Sequence, residues 1–377
     1  MKILIAGDFC PTERVKNLIE KHEYEQVFGE VKPIIECADY SIVNLECPIL
    51  LSTNATPIAK CGPNLKCEQS TIESLEYAGF DCVTLANNHF RDFGDIGCME
   101  TISALESAAI DYVGGGKNII ESQKILYKSI GNKVLAFVNF CEHEFSIATE
   151  TTAGAAPLDL VDNYNQIIDA KNNSDYVIVI IHGGHEHFQY PSVAMKKIYR
   201  WFVDIGADAI LNHHQHCFLG YEVYKEKPIF YGLGNFCFDN SLRRGTIWNQ
   251  GYMVELELLN SNISFKLIPY VQCGEFPTIK ILDNQNTEEF INKIKSLNRV
   301  MESNDDLKLK CEEFYQKNAK EWIFNLEPYR RNRLASALYR RGFLPSFVTT
   351  NKIKWLINFI ECESQVTRFL SVLKKQI

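Results

Sequence analysis

The sequence predicts an α/β fold, a layered sheet with some antiparallel members, followed by a C-terminal helical extension. Three observations predict it. Short apolar runs of strand length alternate with segments of helical spacing over roughly the first two hundred residues. From residue 209 onward the apolar runs crowd together as hairpin-like strands. From about residue 286 they give way to long segments with helical spacing, the second rich in Lys and Glu.

In order, residues 1–6 read as a strand ending in Gly7-Asp8, and 11–22 as a short helix. Residues 40–45 are the next apolar strand. Residues 50–63, with Pro57 and Gly62-Pro63, are turn-rich and polar and read as a loop beside a site. Residues 69–78 have helical spacing, 81–86 are a strand, and 94–109 are helical again. Residues 111–116 end in three glycines and read as a loop. Residues 124–130 and 133–140 form a two-strand unit turning at Gly131-Asn132. A helix over 161–171, a strand over 176–181 and a helix over 192–205 follow. Residues 209–212, 220–224, 229–232 and 252–258 are further strands. Helices are expected over 288–302 and 306–322, and 353–373 is an amphipathic stretch in the tail. No internal repeat or low-complexity tract interrupts this order.

With 377 residues there is room for one large α/β domain, placed at 1–275, and a helical region with a basic tail at 276–377. Hydrophobic content of 46% and charged content of 23% are those of an ordinary globular protein. No run of about 18 apolar residues occurs, so no transmembrane helix is expected. No apolar leader precedes the first strand, and the cytoplasm is the expected location, with peripheral attachment to a membrane as a further expectation. The 13 cysteines are scattered without CxxC spacing and read as buried, reduced thiols. The net charge of −8 is uneven: residues 328–377 carry +8 and the rest −16. The basic tail is expected to meet a membrane surface, an acidic polymer or an acidic protein partner, or to pack on the acidic body. No nucleic-acid partner is predicted.

Seven of the nine histidines fall in three clusters just past apolar runs: Ala86-Asn87-Asn88-His89, His182-Gly183-Gly184-His185-Glu186-His187 and His213-His214-Gln215-His216. Two earlier strand ends supply Asp8 and Glu46. Neutral imidazoles and carboxylates at the C-terminal ends of strands are what an open α/β sheet needs to hold metal ions. Asp8, Glu46, Asn88, His182, His214 and His216 are the candidate ligands. Their mixture suits one or two divalent transition metal ions, Mn, Zn or Fe. Two such ions would polarise a substrate oxygen and lower the pKa of a water between them, with Glu46 as the bridge. His89 is the candidate general acid, held in its tautomer by Asp92, and Glu186 is a supporting group or second proton carrier. His185 and His187 read as surface residues, His213 as a supporting neighbour, and Asn235 as a turn former. Taken singly each of these residues has a plain structural reading; the conjunction at strand ends is what points to a metal site.

These segments, together with Asn44-Leu45-Glu46-Cys47-Pro48 and Tyr231-Gly232-Leu233-Gly234-Asn235-Phe236, resemble the CapA family of capsule-synthesis proteins. That family is similar to the calcineurin-like metallophosphoesterases. The resemblance covers residues 1–275 and implies a four-layered α/β/β/α sandwich with the site at the sheet edge. It also implies a capsule-biosynthesis role: a metal-dependent hydrolase or transferase acting on a phosphoester or an anionic polymer such as poly-γ-glutamate. The alternative is a non-catalytic assembly factor with a degenerate metal site. The chain departs from the phosphoesterase pattern at Asp8-Phe9-Cys10, where Asp-x-His is usual. Either Cys10 supplies a thiolate or one ion lacks a ligand. Glu46 stands where an aspartate is usual, and His213 where a glycine is usual.

Overall fold

The computed structural model describes residues 1–259, 262–330 and 332–374. Position 331 and residues 375–377 of the basic tail lie outside the described residues. The chain divides into two compact units, Met1–Lys308 and Leu309–Ile377.

The first unit is built on two sheets. The larger runs Ile279–Ile281, Asn262–Gln272, Gln250–Leu259, Lys2–Phe9, Tyr40–Leu45, Cys82–Thr84, Asp111–Val113, with Asn235–Cys237 beside Lys2–Phe9. The smaller runs Tyr221–Tyr224, Lys227–Phe230, Ala209–His213, Tyr176–His182, Lys133–Cys141, Leu126–Ile130. Strand alternation decides which residue faces which layer. In the first strand Leu4 and Ala6 join a core with Val15, Ile35, Leu75 and Leu105, from helices on the outer face of the larger sheet. Ile3 and Ile5 turn the other way and meet Phe137, Ile178, Ile180 and Leu211 of the smaller sheet. Val177, Val179 and Ile181 form a third core with Ile167 and Phe202 of the helices Leu160–Asn173 and Val193–Ile205. The three cores separate four layers, α/β/β/α, as the resemblance implied.

Parallel pairing brings the chemistry to one edge. Asp8 is in register with both Asn44 and Asn235, and His182 with His213 and Cys141. The C-terminal ends of strands from both sheets thus hold the predicted ligands. Gly7 permits the close fit of Asn235–Cys237: a Cβ there would stand 1.9 Å from the Gly234 carbonyl oxygen.

Several elements differ from the sequence reading. Residues 111–116 carry the edge strand Asp111–Val113 and the short strand Gly115–Gly116, which pairs with Gly154–Ala155, instead of a free loop. Their glycines serve close approach, since a Cβ on Gly114 would stand 1.9 Å from Asn139 Oδ1. The helices Tyr24–Phe28 and Lys32–Glu36 and the strand Asn262–Gln272 were not anticipated. The helix Asn284–Glu302 buries Phe290, Ile294 and Leu297 in the core between the sheets, so it is part of the first unit. In the second unit the amphipathic stretch is two helices, Thr350–Glu361 and Glu363–Leu373, broken where Cys362 takes an extended ψ of 112°. Trp355, Phe359 and Phe369 pack between them, with ring centroids 4.0 to 6.3 Å apart. No helix among the described residues is long and apolar enough to cross a membrane.

Candidate metal centre

Asp8, Glu46, Asn88, His182, His214 and His216 come together at this edge, all buried. His182, ending the strand Tyr176–His182, is the point of convergence. Its Nε2 lies 3.1 Å from Asn88 Oδ1, 3.1 Å from His214 Nδ1 and 3.7 Å from Glu46 Oε1. Glu46 Oε1 is also 3.7 Å from His216 Nε2, and Asp8 Oδ2 is 3.8 Å from His216 Nδ1. Two donor groups result, Glu46-His182-His214 and Asp8-Glu46-His216, sharing Glu46.

The backbone is bent to this purpose. His214 and His216 both adopt positive φ, 99° and 54°, a region costly to a side chain with a Cβ. Asn212 anchors the segment. Its amide donates to the carbonyls of Gly183, His213 and Tyr231 at 2.9, 2.9 and 3.0 Å, tying three strand ends together.

The electrostatics of the group ask for a cation. Both carboxylate oxygens of Glu46 are buried without a hydrogen-bond partner. Burial pushes the Glu46 carboxyl well above its ordinary range, and the carboxylates of Asp8, Glu186, Glu144 and Asp92 push it the same way. Burial also pushes Asp8 up, but the hydrogen bond and charge of His213, then His182 and His216, outweigh it and hold Asp8 well below the usual carboxylate range. Burial and the neighbouring His214 hold the His182 imidazole neutral; His214 is held down to about 4, chiefly by burial. Neutral imidazoles with lone pairs converging on an unpaired carboxylate match the donor chemistry of a divalent transition metal.

His89 and Asp92 form a pair beside the candidate ligands, with His89 Nδ1 2.7 Å from Asp92 Oδ2. Burial lowers the His89 pKa; Asp92 opposes that, and Lys60 adds to it. Glu186 is exposed, with Oε2 3.8 Å from His187 Nε2. Partial desolvation among its neighbours raises its carboxyl, but His216, His214, His187 and His89 together hold it below its ordinary range.

Three readings of the sequence need correction. Cys10 does not reach Asp8; its thiol joins Cys47 and Cys67 in the core under the outer helices. The place beside Asp8 is taken by His213, whose Nδ1 is 3.4 Å from Asp8 Oδ1. Asn235 lies in a strand and not in a turn: its Oδ1 is 2.9 Å from His216 Nδ1, and its amide donates to the His216 carbonyl. His187 is half-buried, its ring 6.0 Å from that of His216 and 5.8 Å from that of Trp248.

Three further polar residues escaped notice in the sequence. Asn44 donates to Asp8 Oδ1 at 2.8 Å and accepts from Thr84 and Asn87. Lys60, from the turn-rich loop, is buried against Asp92 and lies 3.2 Å from His89 Nδ1. Glu144 Oε1 lies 3.9 Å from His214 Nε2. None has a local signal, because each acts through neighbours distant in sequence.

Residues 2–240 match the model of the family described as bacterial capsule synthesis protein PGA_cap. The chain is 33% identical over 252 residues to a capsule biosynthesis protein CapA of Bacillus anthracis, covering 65% of this chain and 61% of that protein. It is 30% identical over 242 residues to a PGA biosynthesis protein CapA of Bacillus subtilis, covering 63% of each. The aligned part therefore spans about three fifths of the length of these curated relatives. Among solved structures, a phosphatase from Mycoplasma pneumoniae superposes with a TM-score of 0.46 at 14% identity, covering 76% of this chain and 96% of that one.

Proposed function

The chain belongs to the bacterial capsule synthesis protein family PGA_cap, and from that premise we propose a metal-dependent hydrolase or transferase of capsule biosynthesis. Its substrate would be a phosphoester or an anionic capsule polymer such as poly-γ-glutamate. The observation that carries this reading is Glu46: a fully buried carboxylate, both oxygens unpaired, within 3.7 Å of two imidazoles. An uncompensated buried anion costs several kcal/mol, on the order of the penalty for an unpaired ion.

Divalent ions fit the donors present. Asp8, Glu46 and His216 would hold one, and Glu46, Asn88, His182 and His214 another. Such ions, when bound, supply Lewis acidity that polarises a substrate oxygen and lowers the pKa of water. Asp92 fixes the His89 ring through Nδ1, leaving Nε2 to exchange a proton with substrate. Burial and Lys60 keep the resting ring neutral; an anionic substrate opposite it would raise its pKa, so the acid would form as the substrate arrives. Glu186, exposed among these imidazoles, is the proposed second proton carrier. The basic tail 328–377 is the proposed contact for a membrane surface or protein partner of a cytoplasmic enzyme.

The test is a screen of phosphoesters and γ-glutamyl peptides with the Mn²⁺-loaded chain and its His89→Ala variant. Turnover lost by the variant without loss of folding supports the reading. Undiminished turnover by the variant on the same substrate overturns it.

A further inference from the structure

On the helix-facing side of the larger sheet, away from the imidazoles, three thiols meet. Cys10 follows the strand Lys2–Phe9, and Cys47 follows Glu46 directly. Cys67 returns from the turn-rich loop, donating from its backbone N–H to the Pro48 carbonyl and accepting from Leu50, each at 2.9 Å. The three sulfurs all lie within 4.8 Å of one another, and Cys47 and Cys67 are 3.2 Å apart. All three side chains are shut off from solvent.

Thiols buried merely as small apolar groups have little reason to converge three at a time: Cys82, Cys98, Cys141 and Cys217 are buried here without such a cluster, and Cys237 and Cys273 meet only as a pair, 3.9 Å apart. A disulfide would use two sulfurs and strand the third. A soft cation uses all three: at a metal–sulfur bond of ~2.3 Å, three sulfurs around one ion stand roughly 4 Å apart. The Pro11 carbonyl oxygen, 3.6 Å from Cys67 Sγ, offers a fourth donor. Hydrogen bonds with the Cys10 and Cys47 thiols, and after them Thr71 and the charge of Lys16, outweigh burial and favour the Cys67 thiolate.

We propose that Cys10, Cys47 and Cys67 form a second metal site, for a soft thiophilic cation of the zinc class. Three S–H bonds break as three sulfur–metal bonds form, and the protons leave to solvent; no redox partner is needed. The ion pins residues 48–67, which carry Lys60, to the strand end that carries Glu46. The site is chemically separate from the imidazole and carboxylate centre, so either can fail without the other.

Cobalt reads sulfur ligation directly. The full chain, reduced and loaded anaerobically with Co²⁺, is expected to show thiolate-to-cobalt charge-transfer absorption, which nitrogen and oxygen ligands do not give. Cys67→Ser and Cys10→Ser should each abolish it and lower the bound metal by one ion per chain, whereas Cys217→Ser should retain both. If a variant fails to fold, X-ray absorption of the zinc-loaded wild type answers the same question, with sulfur bonded to zinc as the expected result. Absence of charge transfer and of zinc–sulfur scattering overturns the proposal. So does a Cys47–Cys67 disulfide in protein purified with its thiols trapped. Undiminished Mn²⁺ binding in Glu46→Gln with the charge-transfer absorption intact would sink only the metal role of Glu46 and leave the thiol site standing.

Discussion

Asn88 Oδ1 stands 3.1 Å from His182 Nε2, across 94 residues of sequence and between the two sheets. The same nitrogen is 3.1 Å from His214 Nδ1. One ring proton cannot serve an amide oxygen, a second imidazole and the Glu46 carboxylate together, whereas a cation can.

Glu46→Gln tests that statement energetically. The substitution keeps the shape and removes an ionisable carboxyl whose charged form no hydrogen bond offsets. Stripped of metal, the variant is expected to be more stable than the wild type near neutral pH, because a carboxyl that burial pushes up loses native stability as pH rises past the unfolded value and a neutral amide does not. With metal the order reverses, because the variant gains less from binding. Urea unfolding with and without Mn²⁺ measures both; a variant less stable in both states would contradict the account.

Lys60→Met removes the buried cation from Asp92, whose side chain is itself fully buried. Asp92 then loses its counter-ion but keeps the Leu65 N–H and His89 Nδ1, and the loss is expected to cost roughly 1.5–3 kcal/mol, the range for a hydrogen bond to a charged group. Chemical denaturation reads this directly, and a loss below about 1 kcal/mol, the scale of an exposed pair, would show that Lys60 is not held as described.

Asp239 gives the pH dependence. Burial raises its carboxyl, but Arg14 and Arg244, bonded to it at 2.8 to 3.0 Å, hold it below its ordinary range. The unfolded chain, with a carboxyl pKa of about 3.9, then binds more protons than the native one at acid pH, so stability rises with pH there. This contribution is present above pH ~4 and is lost as pH falls through the lower native value. Asp239→Asn should flatten stability against pH below about 4. An unchanged slope in acid urea titrations would exclude Asp239 as its source.

Much of the site was legible because strands end where side chains must leave the sheet. Asp8, Glu46 and His182 each terminate or directly follow an apolar run, and parallel pairing carries such ends to one edge. Cys10 was misread for a local reason. Simple alternation puts residues 8 and 10 on one face, but the register shifts between Asp8 and Phe9, and Phe9 and Cys10 both enter the helix-side core. Lys60 and Asn44 were illegible because their partners lie on other segments, and a lysine in a polar loop ordinarily faces water. The strand Asn262–Gln272 was missed because its first half has no continuous apolar run, although Ile263, Phe265 and Leu267 alternate with exposed residues and pack on the core.

Equilibrium dialysis of Mn²⁺ against the metal-stripped full chain decides whether Glu46 and its neighbours hold a cation, since manganese prefers oxygen and nitrogen over thiol ligands. At least one tightly bound ion per chain is expected, with affinity falling about 10-fold or more in Asn88→Ala and binding abolished in Glu46→Gln. A wild-type chain that binds no Mn²⁺ above background, or a Glu46→Gln chain that binds it equally well, would contradict that expectation.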